Sequence, residues 1–129
     1  MAADRLISSG GPWESVIGYS RATVAGVYVH VSGTTATVCG ELQHAGDAYN
    51  QTLTAFPVIA EALAQAGKTL DDVVRTRVFL ANAADMDEVG RAHGELFGEN
   101  RPAATMLAGL QFINAEMLVE IEADAYRRS

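Results

Sequence analysis

The chain has 129 residues, of which 49% are hydrophobic and 19% charged, with three prolines. That length and composition suit one domain built around its own core, without disulfides or a structural metal to hold it. Nine Lys and Arg against sixteen Asp and Glu leave a net charge of −7, which argues against nucleic acid as a partner, because phosphate tracking is carried by basic side chains. Cys39 is the lone cysteine, and no CxxC or Cys/His spacing suggests a metal site. The stretch Met1–Gly10 has no apolar signal-peptide core. No apolar run approaches the ~18–20 residues of a bilayer span. The expectation is a cytoplasmic protein with no membrane partner.

No repeat or linker divides residues 1–129, so they read as a single domain. Arg5 to Ser8 fits an extra edge strand. Val24 to Gly33 reads as strand, with Gly26 as a hairpin turn and Tyr19 to Thr23 as the strand before it. In the second strand Val27, Val29 and Val31 point one way, and Tyr28, His30 and Ser32 the other. Gly40 to Gly46 is a polar connection.

A helix is expected from Asp47, a good N-cap type, to Gly67, a good C′ type. Leu53, Phe56, Ala60 and Leu63 recur at helical spacing and form its expected buried stripe. Pro57 removes an amide donor and crowds the Leu53 carbonyl at a cost of ~3 kcal/mol or more, so a kink or bulge is expected there. Val73 to Leu80 alternates as a strand. A second helix begins near Asp85, where Asp85 and Glu88 have capping-box spacing. Met86, Val89, His93, Leu96 and Phe97 form its apolar stripe, and Gly98 stops it. Ala103 to Leu110 and Met117 to Tyr126 complete the strands.

The order β-β-α-β-α-β-β places an α+β fold in which two helices cover only one face of a sheet. Val119, Ile121, Ala123 and Ala125 suit the covered face. Glu120, Glu122, Asp124, Arg75 and Arg77 then fall on the other, together with Tyr28, Phe79 and Leu118. A face that mixes charge with apolar groups is either wet or packed against other copies of the chain, and Tyr28, Phe79 and Leu118 favour the second.

Five segments in order resemble the Rid family (reactive intermediate deaminases, YjgF-like, described earlier as L-PSP endoribonucleases). They are Tyr19-Ser20-Arg21-Ala22, Val31-Ser32-Gly33-Thr34-Thr35, Val73 to Phe79, Arg101-Pro102-Ala103-Ala104-Thr105 and Leu118 to Ala123. The resemblance runs from about Gly18 to the end. It implies a chorismate-mutase-like α+β fold, a homotrimer whose sheets form a central barrel, and small-molecule pockets at subunit interfaces. It also implies hydrolysis of enamines or imines to keto acids and ammonia, with no metal or organic cofactor.

On that resemblance Glu120 matches a pocket glutamate that handles the hydrolytic water; the alternative is an ion-pair partner of Arg75 or Arg77. Ser32 and Gly33 match a pocket-lining segment, against a plain strand-end turn. Tyr19 matches a pocket-wall aromatic, against core packing, and Thr105 and Met106 continue toward the same cavity. Ala104 stands where deaminase members carry an arginine that forks onto a substrate carboxylate, a contact normally worth ~1.5–3 kcal/mol. Gly90 stands where they often carry asparagine.

Arg21, Arg91 and Arg101 are the candidates to supply the missing charge, with solvated surface arginines as the alternative reading. His30 is expected at an interface, His93 in packing, and Cys39 as a bystander. The competing function is a non-catalytic, ligand-binding or regulatory trimer. RNA cleavage ranks last on charge.

Overall fold

A computed structural model describes residues 4–126. Its strands are β1 (Arg5–Ile7), β2 (Ala22–Ala25), β3 (Tyr28–Thr34), β4 (Thr37–Val38), β5 (Glu41–Leu42), β6 (Val73–Leu80), β7 (Ala103–Leu107) and β8 (Val119–Tyr126). Two helices, α1 (Ala48–Gln65) and α2 (Met86–Phe97), separate β5 from β6 and β6 from β7. Six strands form one sheet in the order β1-β2-β3-β8-β6-β7, and β4 and β5 pair separately. β6 and β7 are parallel, as a crossover through α2 requires; β8 inserts antiparallel between β3 and β6.

The alternation expected of β8 is observed. Val119, Ile121, Ala123 and Ala125 are buried, whereas Glu120, Glu122 and Asp124 are half-buried on the face the helices leave open. The fold class is therefore α+β with a one-sided helix layer, as read from the sequence. On the covered face Phe56 of α1 meets Phe97 of α2 edge to face, with ring centroids 5.0 Å apart.

Helix α1 has the ends the sequence announced. The Asn50 amide donates to the Asp47 carboxylate at 3.0 Å, which holds the Asp47 carboxyl below its usual range. At the other end Gly67 adopts φ +74, Gly67 N donates to Ala64 O, and Lys68 N donates to Leu63 O. These paired bonds form a Schellman stop, whose left-handed residue favours glycine.

One helix continues through Pro57, which lies on the solvent side, where water can hydrate the Leu53 carbonyl left without its amide. Two other expectations for the helices fail. The buried stripe passes through Gln51, Thr52, Ala55, Phe56, Ile59 and Leu63, so Leu53 and Ala60 only flank it. Gln51 is fully buried because its amide donates to the His44 and Glu116 carbonyls and accepts from Leu118 N. No capping box forms at Asp85: a 3-10 turn (Ala83–Asp85) leads in, and Glu88 pairs with Arg91 instead. Met86 and Leu96 consequently face outward.

The strand limits shift as well. Gly26 (φ +58) and Val27 form the two-residue turn between β2 and β3, so Val27 does not share a face with Val29 and Val31. Tyr19 and Arg21 precede β2 rather than lying in it, behind a five-residue π-helical segment, Glu14–Gly18. β7 ends at Leu107 and β8 starts at Val119. A β4–β5 hairpin, turned by Cys39 (φ 51) and Gly40 (φ 81), begins before the polar connection and takes up its first residues. No helix among the described residues is long and apolar enough to cross a membrane.

Candidate functional site

The open face acquires a defined site where the segment before β2 meets the end of β3. Glu14 anchors that segment: its carboxylate accepts from Ser8 Oγ, Ser9 N, Ser9 Oγ and Gly11 N. Burial pushes the Glu14 carboxyl up, but these bonds outweigh it and hold the group below its ordinary range. Tyr19 N then closes onto Glu14 O at 2.9 Å. Two bonds lace the following residues to β3, Ser32 Oγ to Ser20 O at 2.5 Å and Ser32 N to Arg21 O at 3.0 Å.

The pairing of β3 with β8 shifts register between Val31 and Thr34. That irregularity lays the Glu120 side chain of β8 across Gly33. A Cβ on Gly33 would overlap the carboxylate, with Glu120 Cδ only 2.9 Å away. Gly33 is thus required by close approach of a neighbouring side chain, since its φ is not in the left-handed range.

Arg21 completes the group. Its Nη2 donates to Gly33 O at 2.7 Å, and its Nε is buried with no acceptor. Burial pushes the Glu120 carboxyl above the ordinary glutamate range, Arg21 draws it partly back, and Glu122 adds to the rise. Glu120 enters no salt bridge among the described residues, so the ion-pair reading with Arg75 or Arg77 does not hold within one chain. The partner of Arg77 is instead Asp124 at 3.3 Å, with Glu122 at 3.6 Å, and His30 Nδ1 closes on Asp124 at 2.8 Å.

Tyr19 and Ser32 line an open cavity of about 660 Å³ beside this group, with Thr23, His30, Glu122 and Asp124. The other anticipated residues lie elsewhere. Arg91 sits on the helix layer, 3.9 Å above the Tyr49 ring and bonded to Glu88 and Glu95. It is not brought to Glu120, because the neighbouring acids and ring on its own side of the molecule hold it.

Ala104 is on the edge strand in register with buried Thr76, so its methyl shares the helix face, whereas Thr105 pairs with Arg77 on the open face. Phe79, which the sequence reading left out of the site, is the residue registered against Glu120. His93 Nε2 lies 2.9 Å from Thr76 Oγ1 among Phe56 and Phe97, and burial lowers its pKa. Among the described residues no three His, Cys, Asp or Glu converge as a metal-holding group.

The Glu14 clamp was also missed. Its one sequence signal is an acid following Ser8-Ser9-Gly10-Gly11, a run of small donors that can fold around a carboxylate.

The family model described as Endoribonuclease L-PSP matches residues 12–127. The chain belongs to this L-PSP family, which includes the Rid and YjgF proteins. An uncharacterized protein of Streptomyces coelicolor is 47% identical over 125 residues, covering 97% of this chain and 93% of that protein. The 3-aminoacrylate deaminase RutC of Acinetobacter baylyi is 32% identical over 109 residues, 84% of this chain and 86% of its own. A crystal structure of a Mycobacterium tuberculosis member of the YjgF/YER057c/UK114 family superposes with a TM-score of 0.84 at 44% identity, covering 95% of this chain and 98% of that one. A Pseudomonas aeruginosa protein of unknown function gives 0.82 at 29% identity, covering 97% and 92%. Membership extends through both ends of the site, because the matched span includes Tyr19, Gly33, Ala104 and Glu120.

Proposed function

We propose that this L-PSP-family chain forms a homotrimer and hydrolyses small imines or enamines to a carbonyl product and ammonia at the seams between subunits. Glu120 carries the reading. It is a half-buried carboxylate without an ion-pair partner among the described residues, held in place against Gly33, and its raised pKa makes it a stronger base than an exposed glutamate. As water adds to the C=N carbon, Glu120 takes one proton from the water and the π electrons move to nitrogen. Glu120 then returns the proton to that nitrogen. In the resulting carbinolamine Glu120 takes the hydroxyl proton and passes it to the amine, so that the C–N bond breaks, ammonia leaves, and the carbon–oxygen bond becomes a carbonyl. Backbone amides near Gly33 and Ala104 orient the substrate, and Tyr19, Ser32 and Thr105 shape the pocket.

The assembly part draws on surfaces that one chain leaves uncovered. Val16 and Ile17 are 75% and 69% exposed, and Ile113, in the loop after β7, is 76% exposed. Burying them against identical copies removes apolar area from water at about 25 cal/mol per Å². It also brings the β7 edge of one copy toward the open site of another, which a single chain keeps apart.

Ala104 favours a second reading. An exposed methyl stands where the deaminases of the resemblance place a guanidinium, which suits a pocket that binds a metabolite without turning it over. The test generates 2-iminopropionate with an amino-acid oxidase and follows its loss with and without the chain. Acceleration that disappears in Glu120→Ala supports hydrolysis. No acceleration in the parent, with activity appearing in Ala104→Arg, supports the binding reading. A sedimentation result of monomer at micromolar concentration removes the seams and both readings with them.

A further inference from the structure

The hydrolysis proposed above starts at a C=N bond, and an enamine has none. Its nitrogen lone pair is conjugated with a C=C bond, so a proton must first reach the far carbon of that bond. Glu120 is occupied with the water, and the proton has to come from another group on the open face.

His30 is built for that task. Its Nδ1 donates to Asp124 Oδ1 at 2.8 Å, and Arg77 holds the second Asp124 oxygen at 3.3 Å. A carboxylate only accepts, so Nδ1 carries the hydrogen and Nε2 is the nitrogen left for proton exchange. Tyr28 lies beside the ring at 17° to its plane, with centroids 6.1 Å apart, and Tyr126 packs edge-on against Tyr28. The imidazole is thus oriented through its Nδ1 and by a neighbouring ring, while no hydrogen bond occupies Nε2 among the described residues. The half-exposed side chain lines the cavity of about 660 Å³ together with Tyr19, Ser32 and Glu122. A part-exposed ion pair of this kind adds little to stability. What Asp124 does achieve is a fixed tautomer and orientation, the service an aspartate performs for the histidine of a Ser-His-Asp site.

We infer that His30 is a second catalytic residue of this cavity, the acid that converts an enamine substrate into the iminium that Glu120 hydrolyses. The inference rests on the hydrolytic reading for the later step, while the proton transfer is separate from it. The C=C π electrons form a C–H bond with the proton on Nε2, and the nitrogen lone pair becomes the C=N π bond. Nε2 is then reprotonated from water. His30 stands three residues before Gly33 on β3, roughly 10 Å along the strand at 3.3 Å per residue. A C=C–N unit with one water fits that span, its terminal carbon toward His30 and its C–N carbon toward the water at Glu120. Asp124 and Arg77 are positioning residues that act through His30.

The test supplies the two substrate forms separately. Methyl 3-aminocrotonate is a stable, uncharged enamine, followed by loss of its ultraviolet absorbance above the spontaneous rate. 2-Iminoacetate, made from glycine with glycine oxidase, has no carbon that could form an enamine and therefore bypasses His30. The expected result is acceleration of both by the parent, and in His30→Gln a ratio of enamine to imine turnover lowered about a hundredfold. Asp124→Asn lowers the same ratio, because it removes the acceptor that fixes the tautomer; a purely structural loss slows both substrates alike.

Equal slowing of both substrates, or enamine turnover indifferent to His30→Gln, overturns the inference and leaves the Glu120 reading in place. So does imine turnover without enamine turnover in the parent. Enamine loss that needs His30, without acceleration of the imine, removes the hydrolytic reading and leaves His30 as assigned, since the imine so formed decays in water unaided. No acceleration of either substrate overturns both. Should the variants fail to fold, ring-nitrogen NMR of the parent decides. A shift of the His30 Nε2 signal on adding methyl acetoacetate, the carbonyl product, supports contact with the substrate, and an unmoved signal overturns the inference.

Discussion

Gly33→Ala separates catalytic geometry from stability in one methyl group. The backbone at Gly33 accepts alanine without a positive-φ penalty, and alanine reduces the freedom of the unfolded chain, worth about 0.4–1 kcal/mol in favour of folding. Against that stands the overlap of the new Cβ with the Glu120 carboxylate, whose Cδ and Cγ lie at 2.9 and 3.2 Å. The obstructing atoms are the end of a flexible side chain, so Glu120 swings aside at a rotamer cost of about 0.5–1.5 kcal/mol. The two terms nearly cancel, and the melting temperature moves by only a few degrees.

Activity does not cancel in the same way. A displacement of about 1 Å at a reacting group costs on the order of a hundredfold in rate. The expected result is imine hydrolysis reduced about a hundredfold in a protein of near-parental stability. The double variant with Glu120→Ala is then no slower than Glu120→Ala alone, since both remove the same group.

The displaced carboxylate moves toward water, so its NMR-titrated pKa falls back toward the ordinary glutamate value. Full activity in Gly33→Ala, or an unmoved Glu120 titration, refutes the proposed dependence of Glu120 on the bare glycine.

Glu120→Gln tests the electrostatics with stability as readout. A carboxyl whose pKa is raised by folding adds stability below its unfolded pKa and loses that contribution as pH rises through the raised value. The amide therefore melts higher than the parent at pH 7, and the difference shrinks below the ordinary glutamate range near 4.5; an unchanged difference at pH 4 and pH 7 contradicts the burial. Phe56→Ala empties the contact between α1 and α2 and should cost about 3–5 kcal/mol in urea unfolding. Glu14 has the opposite sign to Glu120: its carboxyl is lowered, so its contribution holds above the unfolded pKa and is lost as pH falls through the folded value. Hydrogen exchange at Ser9, Gly11 and Tyr19 should accelerate on acidification, and Glu14→Gln should show that faster exchange already at neutral pH.

Much of the sheet was legible because period-two alternation survives wherever one face is buried. Val119 to Ala125 shows it without interruption, and Val73 to Leu80 shows it from Arg75 onward, after a register shift that buries Val73 and exposes Val74. The helix stripes were harder. Gln51 and Thr52 occupy core positions that a hydrophobicity pattern assigns to leucine, and what buries them is hydrogen bonding: Gln51 to two loop carbonyls and an amide, Thr52 to Ala48 O. Such partners are distant in sequence and leave no local trace. The β4–β5 hairpin was lost for a related reason, since its strands are two residues each and its turn uses Cys39 at φ 51, where Asn or Gly is the usual signal.

The site was legible in its residue types and not in its grouping. Glu120, Gly33 and Arg21 were all candidates, but their convergence depends on a register shift that composition does not announce. Arg91 looked equally available until Tyr49, Glu88 and Glu95 were seen around it.

What distinguishes the site is the way the fold allocates its charges. A carboxylate on an open sheet face normally finds a cation across the strand, as Asp124 and Glu122 do with Arg77, and such part-exposed pairs are worth only about 0–1 kcal/mol each. Glu120 has Phe79 at the equivalent cross-strand position and Gly33 beneath it, so neither neighbour can neutralise it. Arg21 donates to the Gly33 carbonyl instead, and no salt bridge joins it to Glu120 among the described residues. The apolar neighbour, the missing Cβ and the carbonyl brace each block the self-neutralising arrangement that would leave no charge for a substrate to meet.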